Sequence, residues 1–246
     1  SRSRVLVTGG AGFIGSNFVH RLLARCPSAH VVVLDALTYA GRRENLDGIP
    51  PGQLTFVHGD IRDPVAVARA MQGCTFVLNF AAESHVDRSI ETPGEFIQTD
   101  VYGVFVLCEE ARRAGVKRFV QVSTDEVYGE VLEGHSTEEW PLHPRSPYAA
   151  SKAGGDRLAY AYWCTYGLPV VVTRCSNNYG PRQYPEKLVP LFITNAIDDQ
   201  PLPVYGNGRN TRDWLHVNDH CDALLTLLTF PGVEGETFNI GAQHEL

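Results

Sequence analysis

No stretch of about 18 consecutive apolar residues occurs in this 246-residue chain, so no transmembrane helix is expected. Basic residues are the minority: 21 Lys and Arg stand against 28 Asp and Glu, a formal net charge of −7. That balance argues against a nucleic-acid backbone or an anionic membrane surface as the main partner. It leaves room for a small anionic ligand, because local charge can oppose net charge. Cysteine is sparse, and no two of Cys26, Cys74, Cys108, Cys164, Cys175 and Cys221 are spaced as a CxxC pair. Free thiols in a reducing compartment are the expected state. The chain enters a strand pattern almost at once and shows no signal-peptide plan, which makes the cytoplasm the expected location. Internal repeats and low-complexity tracts are absent. With 43% hydrophobic and 20% charged residues, disorder is excluded as the dominant state. The length accommodates one large domain or two smaller ones, with a sizeable core.

What is present is alternation. Short apolar runs at Val5–Thr8, Val31–Leu34, Leu54–Val57, Phe76–Leu78, Phe119–Val122 and Val170–Thr173 read as buried strands. Between them lie helical patterns over Gly12–Ala24, Pro64–Met71, Pro93–Arg113 and Tyr148–Tyr166. Continuous apolar strands interleaved with helices predict parallel βαβ units covered on both faces. The expected class is α/β, a Rossmann doubly wound parallel sheet over residues 1–175. After that the alternation fades. Helices are predicted at Leu188–Ile197 and Val217–Leu228, with short strands at Pro203–Tyr205, Asp213–His216 and Phe238–Ile240. Residues 176–246 read as a smaller C-terminal substrate lobe packed on the strand ends. The polar, Pro-rich stretch 130–147 reads as a surface loop near the site.

Ligands on such sheets bind at the carboxyl ends of the strands, so candidate residues follow each strand. TGGAGFIG, Thr8 to Gly15, follows the first strand and opens the first helix. Its glycines, Gly9, Gly10, Gly12 and Gly15, allow a tight turn and let backbone N–H groups approach a pyrophosphate at a helix N-terminus. Asp35 lies 20 residues beyond Gly15, at the end of the second strand. A carboxylate there accepts hydrogen bonds from a ribose 2′-hydroxyl and repels a 2′-phosphate, favouring NAD over NADP. Arg42 and Arg43 nearby are candidate receivers for a 2′-phosphate. Asp60, after the third strand, is a candidate adenine contact.

The chemistry concentrates further along. Tyr148 and Lys152 form a YxxxK pair on one helix face. An ammonium beside a phenol favours the phenolate, which makes Tyr148 a candidate general base for a sugar hydroxyl. At the end of the fifth strand stands STDEVYG, Ser123 to Gly129, in which Thr124 precedes two carboxylates, Asp125 and Glu126. One kept protonated serves as acid while its ionised neighbour serves as base. Solvated surface roles are the alternative for each of these groups.

Together with FAAESHVD (Phe80–Asp87), SNNYGPRQYPEKLVPLF (Ser176–Phe192) and GNGRNTRDWLHVNDH (Gly206–His220), these motifs resemble the extended short-chain dehydrogenase/reductases acting on nucleotide sugars. Within that family they resemble the dTDP-glucose 4,6-dehydratase branch, over essentially the whole chain. The resemblance implies an NAD-dependent lyase. Tyr148 would take the C4 hydroxyl proton as hydride leaves C4, Glu126 would remove the C5 proton, and Asp125 would protonate the departing C6 hydroxyl. Thr124 would bond the sugar near O4, and Lys152 would hold the nicotinamide ribose. Matched cofactor contacts are Gly9, Gly12, Phe13, Ile14, Gly15, Asp35, Leu37, Thr38, Asp60, Ile61, Ala81, Ala82, Thr99, Tyr148, Lys152 and Asn178. Matched substrate contacts are Ser84, Thr124, Asn177, Lys187, Leu188, Pro203, Tyr205 and Arg212. No metal is implied. A homodimer through a four-helix bundle, built from the helices at Pro93–Arg113 and Tyr148–Tyr166, is the implied assembly. Two departures stand out. Family members run several tens of residues longer, which points to an incomplete lobe. His244 occupies a place where an Asn often contacts the nucleotide, which leaves dTDP against UDP open. Competing readings are a UDP-sugar 4-epimerase or decarboxylase, against which the Asp125–Glu126 pair speaks, and a non-catalytic NAD-binding protein.

Overall fold

In the computed structural model, residues 3–84, 86–204 and 206–243 are described. The six predicted strands form, each lengthened by a residue or more: β1 Arg4–Thr8, β2 His30–Asp35, β3 Leu54–His58, β4 Phe76–Asn79, β5 Arg118–Thr124 and β6 Val170–Cys175. A short β7, Asn177–Tyr179, pairs in parallel with β8, Trp214–His216, as a separate two-stranded sheet. The seventh strand of the main sheet is β9, Thr237–Ile240. The main sheet is parallel throughout, in the order β3-β2-β1-β4-β5-β6-β9. The order reverses between β1 and β4, and that reversal opens the crevice in which such sheets bind ligand.

Side-chain alternation explains why the sheet is buried on both faces. Leu6, Val32 and Leu34 point to one side, where they meet Val67, Val104, Leu107, Phe119 and Ala159. Val5, Val7, Val31 and Val33 point to the other, against Phe18, Leu22, Val217 and Leu224. The helices are α1 Phe13–Arg25, α2 Pro64–Met71, α3 Val86–Glu91, α4 Pro93–Ile97, α5 Val104–Ala114, α6 Pro147–Tyr166, α7 Leu188–Ile197 and α8 Val217–Thr229; α1, α2, α5, α6 and α8 cover the sheet. Helix ends follow local chemistry. Asp63 accepts from the Val65 N–H ahead of Pro64, and Ser146 accepts from the Ala149 N–H ahead of Pro147. Gly115 and Gly167 close α5 and α6 in the left-handed conformation.

Three expectations are corrected. The single helix over Pro93–Arg113 is interrupted by a π-turn at Gln98–Gly103 between α4 and α5. No strand forms over residues 203–204, where the chain is exposed, and Tyr205 lies outside the described residues. The stretch Phe238–Ile240, assigned to the smaller lobe, instead pairs with β6 in the main sheet. α8 likewise packs on the sheet beside α1.

A buried ion pair ties the C-terminal half of the sheet together. Arg174 on β6 donates to both oxygens of Asp156 on α6, through Nε at 2.8 Å and Nη2 at 3.2 Å. Its Nη1 donates to the Tyr128 hydroxyl at 2.7 Å, which donates to Asn239 of β9 at 2.7 Å. Asp156 is fully buried and Arg174 is 2% exposed. Removing one partner leaves an uncompensated buried charge. Asp156→Ala is expected to lose about 3–5 kcal/mol of stability, read as a lower denaturant midpoint at unchanged slope; a loss under about 1 kcal/mol would contradict this.

Candidate active site

A cavity of about 500 Å³ runs along the carboxyl ends of β1 to β6. At one end is the glycine turn. Gly9 has φ of 65°, and a Cβ there would stand 2.7 Å from the Ala81 nitrogen. A Cβ on Gly15 would fall 2.3 Å from the Gly9 oxygen. Both positions therefore require glycine, and they keep the turn tight against β4 and α1. Gly12 begins α1 with no side-chain cap, so the first-turn N–H groups face the cavity end without a protein acceptor from that cap. Uncapped donors and a helix N-terminus fit a pyrophosphate.

Asp35 is held by the N–H of Ala11 at 2.9 Å and of Leu37 at 2.8 Å. Leu37 adopts φ of 51° to present that N–H. Burial raises the Asp35 pKa, and these two donors oppose the rise. Each carboxylate oxygen keeps a second acceptor site for a ribose hydroxyl. Asp60 lines the wall but is bound by Arg62 through Nε at 2.9 Å and Nη2 at 2.7 Å. Burial pushes its pKa up, and the Arg62 hydrogen bonds bring the net below the ordinary value. Arg42 and Arg43 are not part of the wall. Their guanidinium groups lie over the rings of Tyr184 and Phe56, at 5.6 and 4.9 Å.

At the other end, α6 and the end of β5 bring the chemical groups together. Tyr148, Lys152, Thr124 and Glu126 all line the cavity. Phe96 packs edge-on against the Tyr148 ring, with centroids 6.3 Å apart. Lys152 Nζ donates to the Val122 carbonyl at 2.9 Å. The expected lowering of the Tyr148 pKa by Lys152 does not emerge from the protein alone. Burial, then the charges of Glu126 and Asp100, push the phenol well above its ordinary value, and a hydrogen bond with Thr124 opposes them.

The adjacent acids are both raised, with different neighbours opposing the rise. Burial, then repulsion from Glu126, raises Asp125 to about 6. Burial also raises Glu126, but Arg212 and Lys187 oppose that rise. Asp125 lies behind the wall rather than in it, accepting from Thr124 Oγ1 at 3.3 Å. Thr124 in turn caps the turn Asp125–Tyr128 by accepting from the Glu126 N–H at 3.3 Å.

Of the other matched positions, Phe13, Ile14, Thr38, Ile61, Ala81, Ala82, Ser84, Thr99, Asn177, Asn178, Lys187 and Leu188 line the cavity. Lys187 Nζ reaches the Ser84 carbonyl at 3.2 Å, and burial lowers its pKa. Leu37, Pro203 and Arg212 stand outside the wall. Leu37 acts through its backbone, Pro203 lies on an exposed unstructured segment, and Arg212 is exposed while its charge reaches Asp125 and Glu126. Tyr205 and His244 lie outside the described residues. Unforeseen wall residues include Tyr39, Tyr184 and Trp214. Tyr39 and Tyr184 meet edge to face at 5.7 Å, and Arg88 caps the Tyr39 ring at 3.7 Å. Tyr39 directly follows the matched Thr38, and Tyr184 and Trp214 lie inside quoted motifs without having been singled out.

The family model for GDP-mannose 4,6 dehydratase matches residues 6–246. The dTDP-glucose 4,6-dehydratase of Streptomyces antibioticus is 53% identical over 98% of this chain and 73% of its own length. The Escherichia coli dTDP-glucose 4,6-dehydratase is 47% identical, over 98% of this chain and 72% of its own. The crystal structure of the Streptomyces venezuelae dTDP-glucose 4,6-dehydratase with NAD bound superposes with a TM-score of 0.93, at 55% identity over 99% of this chain and 77% of that one. A Thermus thermophilus UDP-glucose 4-epimerase in complex with NAD reaches 0.89 at 39% identity, over 99% of this chain and 79% of that one. The dehydratases share more of the sequence than this epimerase does, although the fold is common to both. With that match laid over the glycine turn, Asp35 and the Tyr148–Lys152 pair, this chain belongs to the GDP-mannose 4,6 dehydratase family, alongside the dTDP-glucose 4,6-dehydratases.

Proposed function

We propose that the chain is an NAD-dependent hydro-lyase that converts dTDP-glucose to dTDP-4-keto-6-deoxyglucose. The observation that carries this reading is the meeting of Tyr148, Glu126 and, just behind it, Asp125 at one end of a cavity whose other end fits a dinucleotide. Tyr148, in its phenolate form, accepts the proton of the C4 hydroxyl. The glycine turn and Asp35 would hold NAD, which would take up hydride from C4 and, after water is lost, give it back to C6 while C5 regains a proton. The ketone at C4 acidifies the C5 proton, which Glu126 removes. Asp125, raised toward neutral pH by burial and by Glu126, carries the proton that O6 takes as water departs. Thr124 orients the Tyr148 end, and Lys187 and Arg212 supply cations for a diphosphate on an acidic protein. An epimerase needs no acid beside O6, so a carboxyl at Asp125 with its pKa raised to about 6 favours dehydration.

Assembly as a homodimer is supported by exposed apolar groups along α4, α5 and α6. Ile97, Phe105 and Tyr166 are 50%, 40% and 54% exposed, and Tyr102 and Tyr160 lie nearby. Paired two-fold, these helices would form a four-helix bundle. The cytoplasm is the proposed location, supported by six unpaired cysteines, four of them buried. Among the described residues, no helix is long and apolar enough to cross a membrane.

Incubation with dTDP-glucose is expected to yield a product lighter by one water that carries a 4-keto group, followed by mass. Return of a C4-epimerised sugar with its C6 oxygen intact would overturn the assignment. UDP-glucose in a parallel reaction separates the nucleotide preference.

Asp125→Asn is expected to spare oxidation at C4 and to slow loss of water by about 10²–10⁴-fold, the usual contribution of an acid–base group. The same change should raise thermal stability at neutral pH by about 2 °C or more. The folded carboxyl has a raised pKa, so its charge opposes folding above about 6 and ceases to do so as pH falls through that value. The gain should therefore shrink below pH 6. An unchanged rate of water loss would refute the acid role.

Light scattering should give twice the chain mass of 27.1 kDa. A single-chain mass at micromolar concentration would exclude the dimer.

A further inference from the structure

Asp100 is a buried carboxylate that the reaction above leaves unused. It is 2% exposed and sits in the π-turn between α4 and α5. Ser151 Oγ donates to its Oδ2 at 2.7 Å, and the Glu83 N–H donates to its Oδ1 at 3.0 Å. Ser151 directly precedes Lys152 on α6, while Glu83 belongs to the cavity wall after β4. One side chain thus joins the π-turn, the base-bearing helix and the floor of the cavity. The backbones agree with this. A Cβ on Gly155 would stand 2.3 Å from the Asp100 carbonyl oxygen, and one on Gly154 would stand 2.9 Å from the Val101 side chain. Two glycines therefore let α6 settle against the π-turn, a feature that recurs at functional sites.

Hydrogen bonding alone does not require a charge at this position. An amide would accept from the Glu83 N–H and donate to Ser151 Oγ in the same place. What the carboxylate adds is charge above about 6, the value to which burial raises it against the pull of Lys152. From α6 it faces Lys152 and Tyr148, and from the loop after β4 it faces Glu83. Tyr148 also faces Glu126 from the turn after β5 and Cys175 from β6.

We propose that Asp100 is a positioning residue for the Tyr148–Lys152 pair, seating α6 against the cavity floor and setting the pH at which Tyr148 works as a base. The inference rests on the reading of Tyr148 as that base. The sign follows from electrostatics. An anion near the phenol disfavours the phenolate, so removing the anion lowers the pH at which Tyr148 can accept a proton.

The test is the pH profile of C4 oxidation by the NAD-loaded enzyme, read in single turnover from the near-ultraviolet absorbance of reduced nicotinamide. Asp100→Asn preserves both hydrogen bonds and removes the charge. Its acidic limb should move down by about 1 in pH relative to the parent; a limb that superposes on the parent's would overturn the charge role. Ser151→Ala keeps the charge and loosens α6. It should lower kcat about tenfold, roughly the weight of one hydrogen bond, with the limb in place; parental kcat would overturn the seating role. Tyr148→Phe serves as the independent control. Should it still oxidise C4 at the parental rate, the reading of Tyr148 as base fails, whatever the Asp100 and Ser151 variants do.

Discussion

Carboxylates and a phenol are crowded at the ends of β5 and β6 with few cations to balance them. Asp100, Asp125 and Glu126 all exert their charge on one another or on Tyr148, and each is raised above its ordinary pKa chiefly by burial. Burial of like charges is unfavourable, and a fold tolerates it only where other contacts fix the geometry. Here the fixing is visible. The Arg174–Asp156 pair, extended through Tyr128 to Asn239, locks the turn that carries Asp125 and Glu126 to α6 and to β9. Asp100 locks the other side of α6 to the π-turn and the cavity wall. The site's acid–base capacity is thus a consequence of where a parallel sheet's strands end and which helix is clamped across them.

The same clamp explains a division of labour between neighbours. Asp125 faces inward beside Thr124 and is pushed to about 6, whereas Glu126 opens to the cavity, where Arg212 and Lys187 favour its charge. Adjacent residues on an extended segment point apart, so two carboxyl groups one position apart come to differ in environment. That difference is what an elimination needs: one group to take a proton from carbon, another to give one to the leaving oxygen.

Much of this was legible in the sequence where local chemistry decides structure. Pro64–Met71 and Leu188–Ile197 form with the bounds their patterns predict, because a first-turn proline or a sustained apolar period sets them. The glycine turn and Asp35 also stand at strand ends, and the YxxxK pair stands on the first turns of α6. What escaped was non-local. The π-turn at Gln98–Gly103 depends on glycines some fifty residues away in α6, and no helical period reveals it. β9 joins the sheet because β6 offers an open edge, which a four-residue run cannot announce. Asp100 carries no motif of its own, and its meaning comes from Ser151 and Glu83. Pro203 and Arg212 illustrate the converse. Motif matching placed both at the ligand; the cavity wall contains neither, and the charge of Arg212 reaches Asp125 and Glu126 from outside it.

The central claim is that one cavity oxidises C4, expels water across C5 and C6, and returns the same hydride to C6. Carbon-bound deuterium at C4 of dTDP-glucose follows that path directly. The account predicts that the product carries the label at C6, within the same molecule. Label washed into solvent, or found back at C4 of an intact hexose, would contradict it.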